Sequence, residues 1–306
     1  MGGVRIIWAG RGGDAFGGRH RGSLPRPKGR LTVKELGGRV AVITGASSGI
    51  GLATAVALAR QGVRLVMASQ NELRLGEAVR IVQSTGAEVI GVPTDVGDEA
   101  AVKALAEAAV TRFGEVHLLI NNAGVFVPGY LWDISQLDWD WVMDVNLRGP
   151  IFALRAFMPL LLQQDEAHVV NVASSGGLMP TIAHAPYCTT KHAIVGLSRA
   201  LRADISLTGA AVGVTVVCPG AVATPITSQA RNTGPGGVPR GSFELDPRTA
   251  EMWNVMRKFT DDGIDPADVG DMIVTAVQDN QFWLLPNAQV FYDLFDQELD
   301  DLKAQR

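Results

Sequence analysis

The sequence predicts a doubly wound α/β fold: a single domain on a parallel sheet of about seven strands, with helices on both faces. Two observations carry this. Short, continuously apolar, β-branched runs alternate with segments of helical spacing, and strands apolar at every position belong in a sheet covered on both sides. The first run also ends in a glycine-rich turn that opens directly into an apolar helix, leaving backbone N–H groups free to approach an anion.

The elements follow in order. Residues 37–45 (GGRVAVITG) form the first strand, and 46–62 (ASSGIGLATAVALARQG) a loop feeding a helix. Strand-like runs recur at 64–68, 88–94, 116–121, 168–173 and 212–218, with FWLLP at 282–286 closing the sheet. Helix-like segments lie at 72–84, 99–113, 137–162, 187–206 and 265–278. Pro150 and Pro159 predict a bend or break in the long fourth helix, because proline removes a helical donor and clashes with the preceding turn.

Residues 1–33 are expected to be a disordered basic tail, with seven Arg and Lys side chains in the first 30 residues against the single acid Asp14. The domain is placed at 34–290, with a glycine- and proline-rich substrate loop at 226–262. An acidic amphipathic helix is placed at 291–306.

Composition narrows the function. The 306 residues carry a net charge of −4 and are 47% hydrophobic, with a pI near 5.8. These values fit a globular enzyme-sized core and disfavour nucleic-acid binding. No run approaches the ~20 apolar residues that span a bilayer, so no membrane partner is expected. Cys188 and Cys218 form no CxxC or disulfide framework, which fits a reducing cytoplasm. No metal is expected.

The chemistry centres on 187–191 (YCTTK). On a helix Tyr187 and Lys191 stand at i and i+4, about one turn apart on one face. A neighbouring cation favours the phenolate, and lowering the phenol from ~10 by two units needs roughly 2.7 kcal/mol. Tyr187 is thereby a candidate proton donor and acceptor.

Upstream, 44–51 reads TGASSGIG, a strand-to-helix turn that can cradle a pyrophosphate on the helix N-terminus. Here the chain resembles the short-chain dehydrogenase/reductase family, whose TGxxxGxG motif is matched at 44–51. NNAG follows at 121–124, then Asn146 in VNLRG, Ser174, the YxxxK pair, and Pro219 with Gly220. Ser174 precedes Tyr187 by 13 residues (187 − 174), with Ser175 as the alternative serine.

The resemblance implies a Rossmann-type domain and an NAD(P)-dependent oxidoreductase interconverting a ketone or aldehyde and an alcohol. It implies Asn146, Ser174, Tyr187 and Lys191 as the catalytic set. Ser174 binds the carbonyl oxygen, Tyr187 protonates it, Lys191 tunes the tyrosine and holds the ribose, and Asn146 anchors a water. The cofactor contacts it implies are Gly45, Ser47, Ser48, Gly49, Ile50 and Gly51 in the first turn, and Ser69 and Gln70 after the second strand. Asp95 and Val96 follow the third strand, and Asn122, Ala123 and Gly124 the fourth. Tyr187, Lys191, Pro219, Gly220, Val222 and Thr224 complete the set. Partners are a small carbonyl or alcohol substrate and further copies of the chain, as a homodimer or homotetramer. The alternative is a dinucleotide-sensing binding protein that has lost turnover.

The cofactor choice turns on 67–74 (MASQNELR). An acid ending the second strand would bond a ribose 2′-hydroxyl and repel a 2′-phosphate. Ser69 and Gln70 stand there, neither acidic nor basic, which favours NADP over NAD. Val125, Phe126, Met179, Thr181, His184 and Met252 are the expected substrate walls.

Overall fold

The computed structural model describes residues 33–179, 181–227 and 247–287, together with Tyr292, Asp296, Asp300, Lys303 and Ala304. Seven parallel strands form one sheet in the order β3-β2-β1-β4-β5-β6-β7. They are β1 (Val40–Thr44), β2 (Arg64–Ser69), β3 (Val89–Pro93), β4 (Leu118–Asn121), β5 (Ala167–Val172), β6 (Val212–Val217) and β7 (Trp283–Leu284). Between them run α1 (Gly49–Arg60), α2 (Glu72–Gln83), α3 (Glu99–Phe113), α4 (Gln136–Met143), α5 (Gly149–Leu161), α6 (Ala185–Thr208), α7 (Pro247–Asp261) and α8 (Pro266–Gln278).

The continuous apolar runs are strands because both their faces are covered. All residues of β1, β4, β5 and β6 are buried. In β1, Ala41 and Ile43 join a core with Ala55 and Leu58 of α1, Leu75 and Val82 of α2, and Ile273 of α8. Val40 and Val42 face the opposite core with Leu105 of α3, Phe157 of α5 and Ile205 of α6. The period-two alternation of the strand thus divides one pentapeptide between two layers.

β1 pairs with β2 on one side and β4 on the other. The chain reverses its winding direction there, opening a crevice beyond the carboxyl ends of both strands, where open α/β sheets bind ligands.

Three expectations are modified. The fourth helix runs on through a π-helical turn, Asp144–Arg148, which joins α4 to α5. Pro150 follows directly on that turn, and Pro159 is accommodated inside α5. The stretch assigned to a loop at 226–262 is helical from residue 247, as α7. Val33, assigned to the tail, is buried in the core beside Leu36. Residues 1–32 lie outside the described residues. Of the C-terminal helix expected at 291–306, Tyr292, Asp296, Asp300, Lys303 and Ala304 are helical and exposed; the rest also lies outside. No described helix is long and apolar enough to cross a membrane.

Candidate active site

A cleft of about 390 Å³ occupies this crevice. Its floor is the β1–α1 turn, where Gly45, Ser47, Ser48, Gly49 and Ile50 line it. Ser48 begins α1 in extended conformation without a side-chain cap, and no acid lies in the first turn. By contrast, α2, α3, α4 and α8 are capped by Asn71, Asp98, Ser135 and Asp265. The first N–H groups of α1 are therefore available to an anion.

Gly51 does not line the cleft. A Cβ there would collide with the Asn122 amide and the Gly45 carbonyl, so this glycine lets helix and turn close together. The Asn122 side chain donates to the carbonyls of Thr44 (3.0 Å) and Gly45 (3.1 Å), tying β4 to the turn.

At one end of the cleft stand Ser69, Gln70, Asp95 and Val96. Ser69 Oγ pairs with Ser47 Oγ at 2.9 Å, and Gln70 donates to Asp95 at 3.2 Å. Asn71 and Arg74 also line this end. Sequence reasoning missed Arg74, although its place one turn into the helix after β2 was a usable signal. Along the middle run Ala123, Gly124, Pro219, Gly220, Val222 and Thr224. Gly124 leaves open the space before the lysine: a Cβ there would lie 3.5 Å from Lys191 Nζ.

Ser174, Tyr187 and Lys191 meet on the wall of the cleft. Ser174 lies beside Tyr187, where its side chain acts to lower the phenol pKa, and its Oγ accepts from Gly176 N at 3.1 Å. Ser175 lines the cleft too, but it is the Ser174 side chain that acts on the tyrosine. Lys191 is buried, its Nζ donating to the Val172 carbonyl at 2.9 Å and standing 5.5 Å from the Tyr187 ring centroid.

The expectation that Lys191 lowers the tyrosine is not met in this arrangement. Burial pushes the Tyr187 phenol up to about 12, against the Ser174 side chain, which lowers it. Burial also draws Lys191 down to about 8. Desolvation disfavours the charged form of both groups and is the leading cause for each. The resting pair is a protonated phenol beside an amine that titrates near physiological pH.

Asn146 stands on the π-helical turn and is 1% exposed, behind the cleft wall. Its Oδ1 accepts from Val125 N at 2.8 Å, while its Nδ2 donates to Val125 O at 2.9 Å and Thr190 Oγ1 at 3.3 Å. The side chain thus clamps the loop after β4 to α6.

The other end of the cleft is aromatic. Phe126 contacts the His184 ring at 4.5 Å, the Tyr187 ring edge-on at 5.2 Å and the Trp253 ring, stacked, at 5.5 Å. Val125, Phe126, Thr181 and His184 line this end as expected, whereas Met179 does not. The Met252 side chain lies outside the described residues. Met256, Phe259 and Thr260 on α7 line the cleft instead, and 253, 256 and 260 carry the helical spacing that could have found them.

A doubly wound sheet with an anion-receptive β1–α1 turn, and a serine–tyrosine–lysine cluster on the wall of the same cleft, is the architecture of a doubly wound α/β enzyme. The family model described as short chain dehydrogenase matches residues 39–234. A CLA biosynthesis dehydrogenase/reductase of Lactiplantibacillus plantarum is 32% identical over 263 residues, covering 84% of this chain and 91% of the relative. Among solved structures, a short chain dehydrogenase/reductase from Burkholderia phymatum in complex with NAD has a TM-score of 0.84 and 37% identity, covering 89% of this chain and 96% of that one. An alcohol dehydrogenase from Thermococcus sibiricus complexed with 5-hydroxy-NADP has a TM-score of 0.65 and 25% identity, covering 81% and 95%. The chain belongs to the short-chain dehydrogenase/reductase family and is a dehydrogenase/reductase enzyme.

Proposed function

We propose that this enzyme is a nicotinamide-dependent carbonyl reductase, interconverting a ketone or aldehyde and its alcohol, with Tyr187 as the acid and base. The observation that carries the reading is that Ser174, Tyr187 and Lys191 line one cleft, with Lys191 buried beside the Tyr187 ring. The residues present fit a dinucleotide: an uncapped α1 N-terminus for its pyrophosphate, and a side-chain-free space at Gly124 before Lys191. When bound, the nicotinamide supplies or accepts the hydride.

The chain's own residues do the rest. Ser174 directs a hydroxyl at the substrate oxygen and orients it. As negative charge develops on that oxygen, the Tyr187 phenol, protonated below about 12, gives up its proton, so ketone, hydride and proton become the alcohol. The Lys191 ammonium steadies the phenolate left behind. Asn146 acts through position, holding the Val125 loop against α6.

We further propose NADP as the preferred cofactor. No carboxylate ends β2, where Ser69 stands paired to Ser47, and Arg74 lines the same cleft. The Burkholderia and Thermococcus relatives hold NAD and an NADP derivative respectively, so the fold accommodates both.

The test is turnover of a carbonyl panel with NADPH and NADH by wild type and Tyr187→Phe. Wild type oxidises NADPH. The variant binds the cofactor with similar affinity and turns over at least about a thousandfold more slowly, a loss of ~4 kcal/mol in transition-state stabilisation. Undiminished turnover in Tyr187→Phe removes the proton donor assigned here.

A further inference from the structure

His184 borders the cleft as a buried polar group that this reaction leaves unused. It is 2% exposed; the Ile182 backbone acts on its imidazole, but its buried Nδ1 has no partner within hydrogen-bond geometry. Its backbone is fixed from both sides: Gly129 N donates to the Ala183 carbonyl at 2.9 Å, and Cys188 N to the His184 carbonyl at 2.9 Å. Its ring lies on Phe126, which also meets the edge of Tyr187. Imidazole and phenol are thus neighbours one helical turn apart at the aromatic end of the cleft.

Burial lowers the imidazole to about 4, so at neutral pH it offers one donor and one acceptor nitrogen. A buried polar group without a partner destabilises the fold that holds it. Because His184 also lines the cleft, a ligand entering there can complete the hydrogen bonding of its imidazole.

We infer that His184 selects carbonyl substrates that carry a second oxygen, hydroxyl or carbonyl, on the atom next to the reacting carbon. The substrate body is a flat aromatic or alicyclic group suited to Phe126 and Phe259. This deepens the reductase reading and rests on it.

The test compares hydroxymethyl phenyl ketone with methyl phenyl ketone, which differ by one hydroxyl, through kcat/KM with NADPH in wild type, His184→Phe and His184→Gln. Wild type prefers the hydroxylated ketone. His184→Phe loses about tenfold of that preference, the effect of one hydrogen bond, and His184→Gln retains part of it because an amide also donates and accepts. Thermal melts and NADPH binding establish that each variant is folded. A histidine that only packs would slow both ketones equally, leaving the ratio unchanged, and that result overturns the inference. So does a wild type that reduces both ketones alike, although the reductase reading then stands. Turnover of neither ketone overturns both.

Discussion

Two side chains in the cleft make opposite demands on charge, and their titration sets the working pH range. Tyr187 is held protonated to about 12, whereas Lys191 begins to lose its proton near 8. A lowered lysine keeps its charge below the shifted value and loses it above. Reduction, which relies on the ammonium to steady the phenolate, is therefore expected to fall as pH rises through about 8, with no contribution from the tyrosine. A pH profile of kcat/KM checks this. Lys191→Arg, charged throughout the range, should remove the alkaline limb even where its absolute rate is lower. Arg74 bears on the proposed preference for NADP. Arg74→Ala should raise KM for NADPH about tenfold or more, the effect of losing a charge-assisted hydrogen bond, while KM for NADH changes little. Equal effects on both cofactors would deny Arg74 a role in choosing between them. The tyrosine's direction of shift was not legible in the sequence, because the i, i+4 spacing gives the cation's proximity but not the burial that opposes it.

At the scale of elements, the site depends on an irregularity. A regular helix through 144–148 would carry Asn146 out of register with the Val125 backbone; the π-helical turn places it there. The proline pair announced that the long helix would break. The helix instead runs on through a π-helical turn just ahead of Pro150. The strands and β1–α1 turn were readable because their signals are local: β-branched runs and a glycine spacing. The aromatic end was less so, since Phe126, His184 and Trp253 come from three separate segments that only the fold brings together. Asn146→Ala tests the clamp. It strips partners from the Val125 N–H and C=O, and should cost about 2 to 4 kcal/mol of stability, read as a shift in urea midpoint at constant slope. Turnover should fall with it, while cofactor affinity changes less. A variant as stable as wild type would show that the loop holds its position without this side chain.

For the whole molecule, the sheet that builds the cleft also sets its tolerance of acid. His168 is fully buried on β5, its Nε2 bonded to Thr215 Oγ1 at 2.8 Å, and Thr215 in turn donates to the Gln281 carbonyl at 2.6 Å. With the threonine proton committed to Gln281, the imidazole donates through Nε2, and its Nδ1 has no partner. The ring thus links β5 to β6 and the segment before β7 as a neutral group. Burial lowers His168 to about 3 and His184 to about 4, against ~6.5 in the unfolded chain. The unfolded chain therefore binds more protons than the folded one throughout the interval between these values. The stability these histidines contribute is full above pH ~6.5 and declines on acidification towards their folded values. The slope is about 1.4 kcal/mol per pH unit for each imidazole, so moving from pH 7 to pH 5 should cost roughly 4 kcal/mol from the pair. Urea titrations at the two pH values measure the loss. His168→Gln, which keeps a donor for Thr215 but cannot take up a proton, should be less stable at pH 7 and lose about half as much on acidification. An equal loss in that variant would place the acid sensitivity elsewhere in the fold.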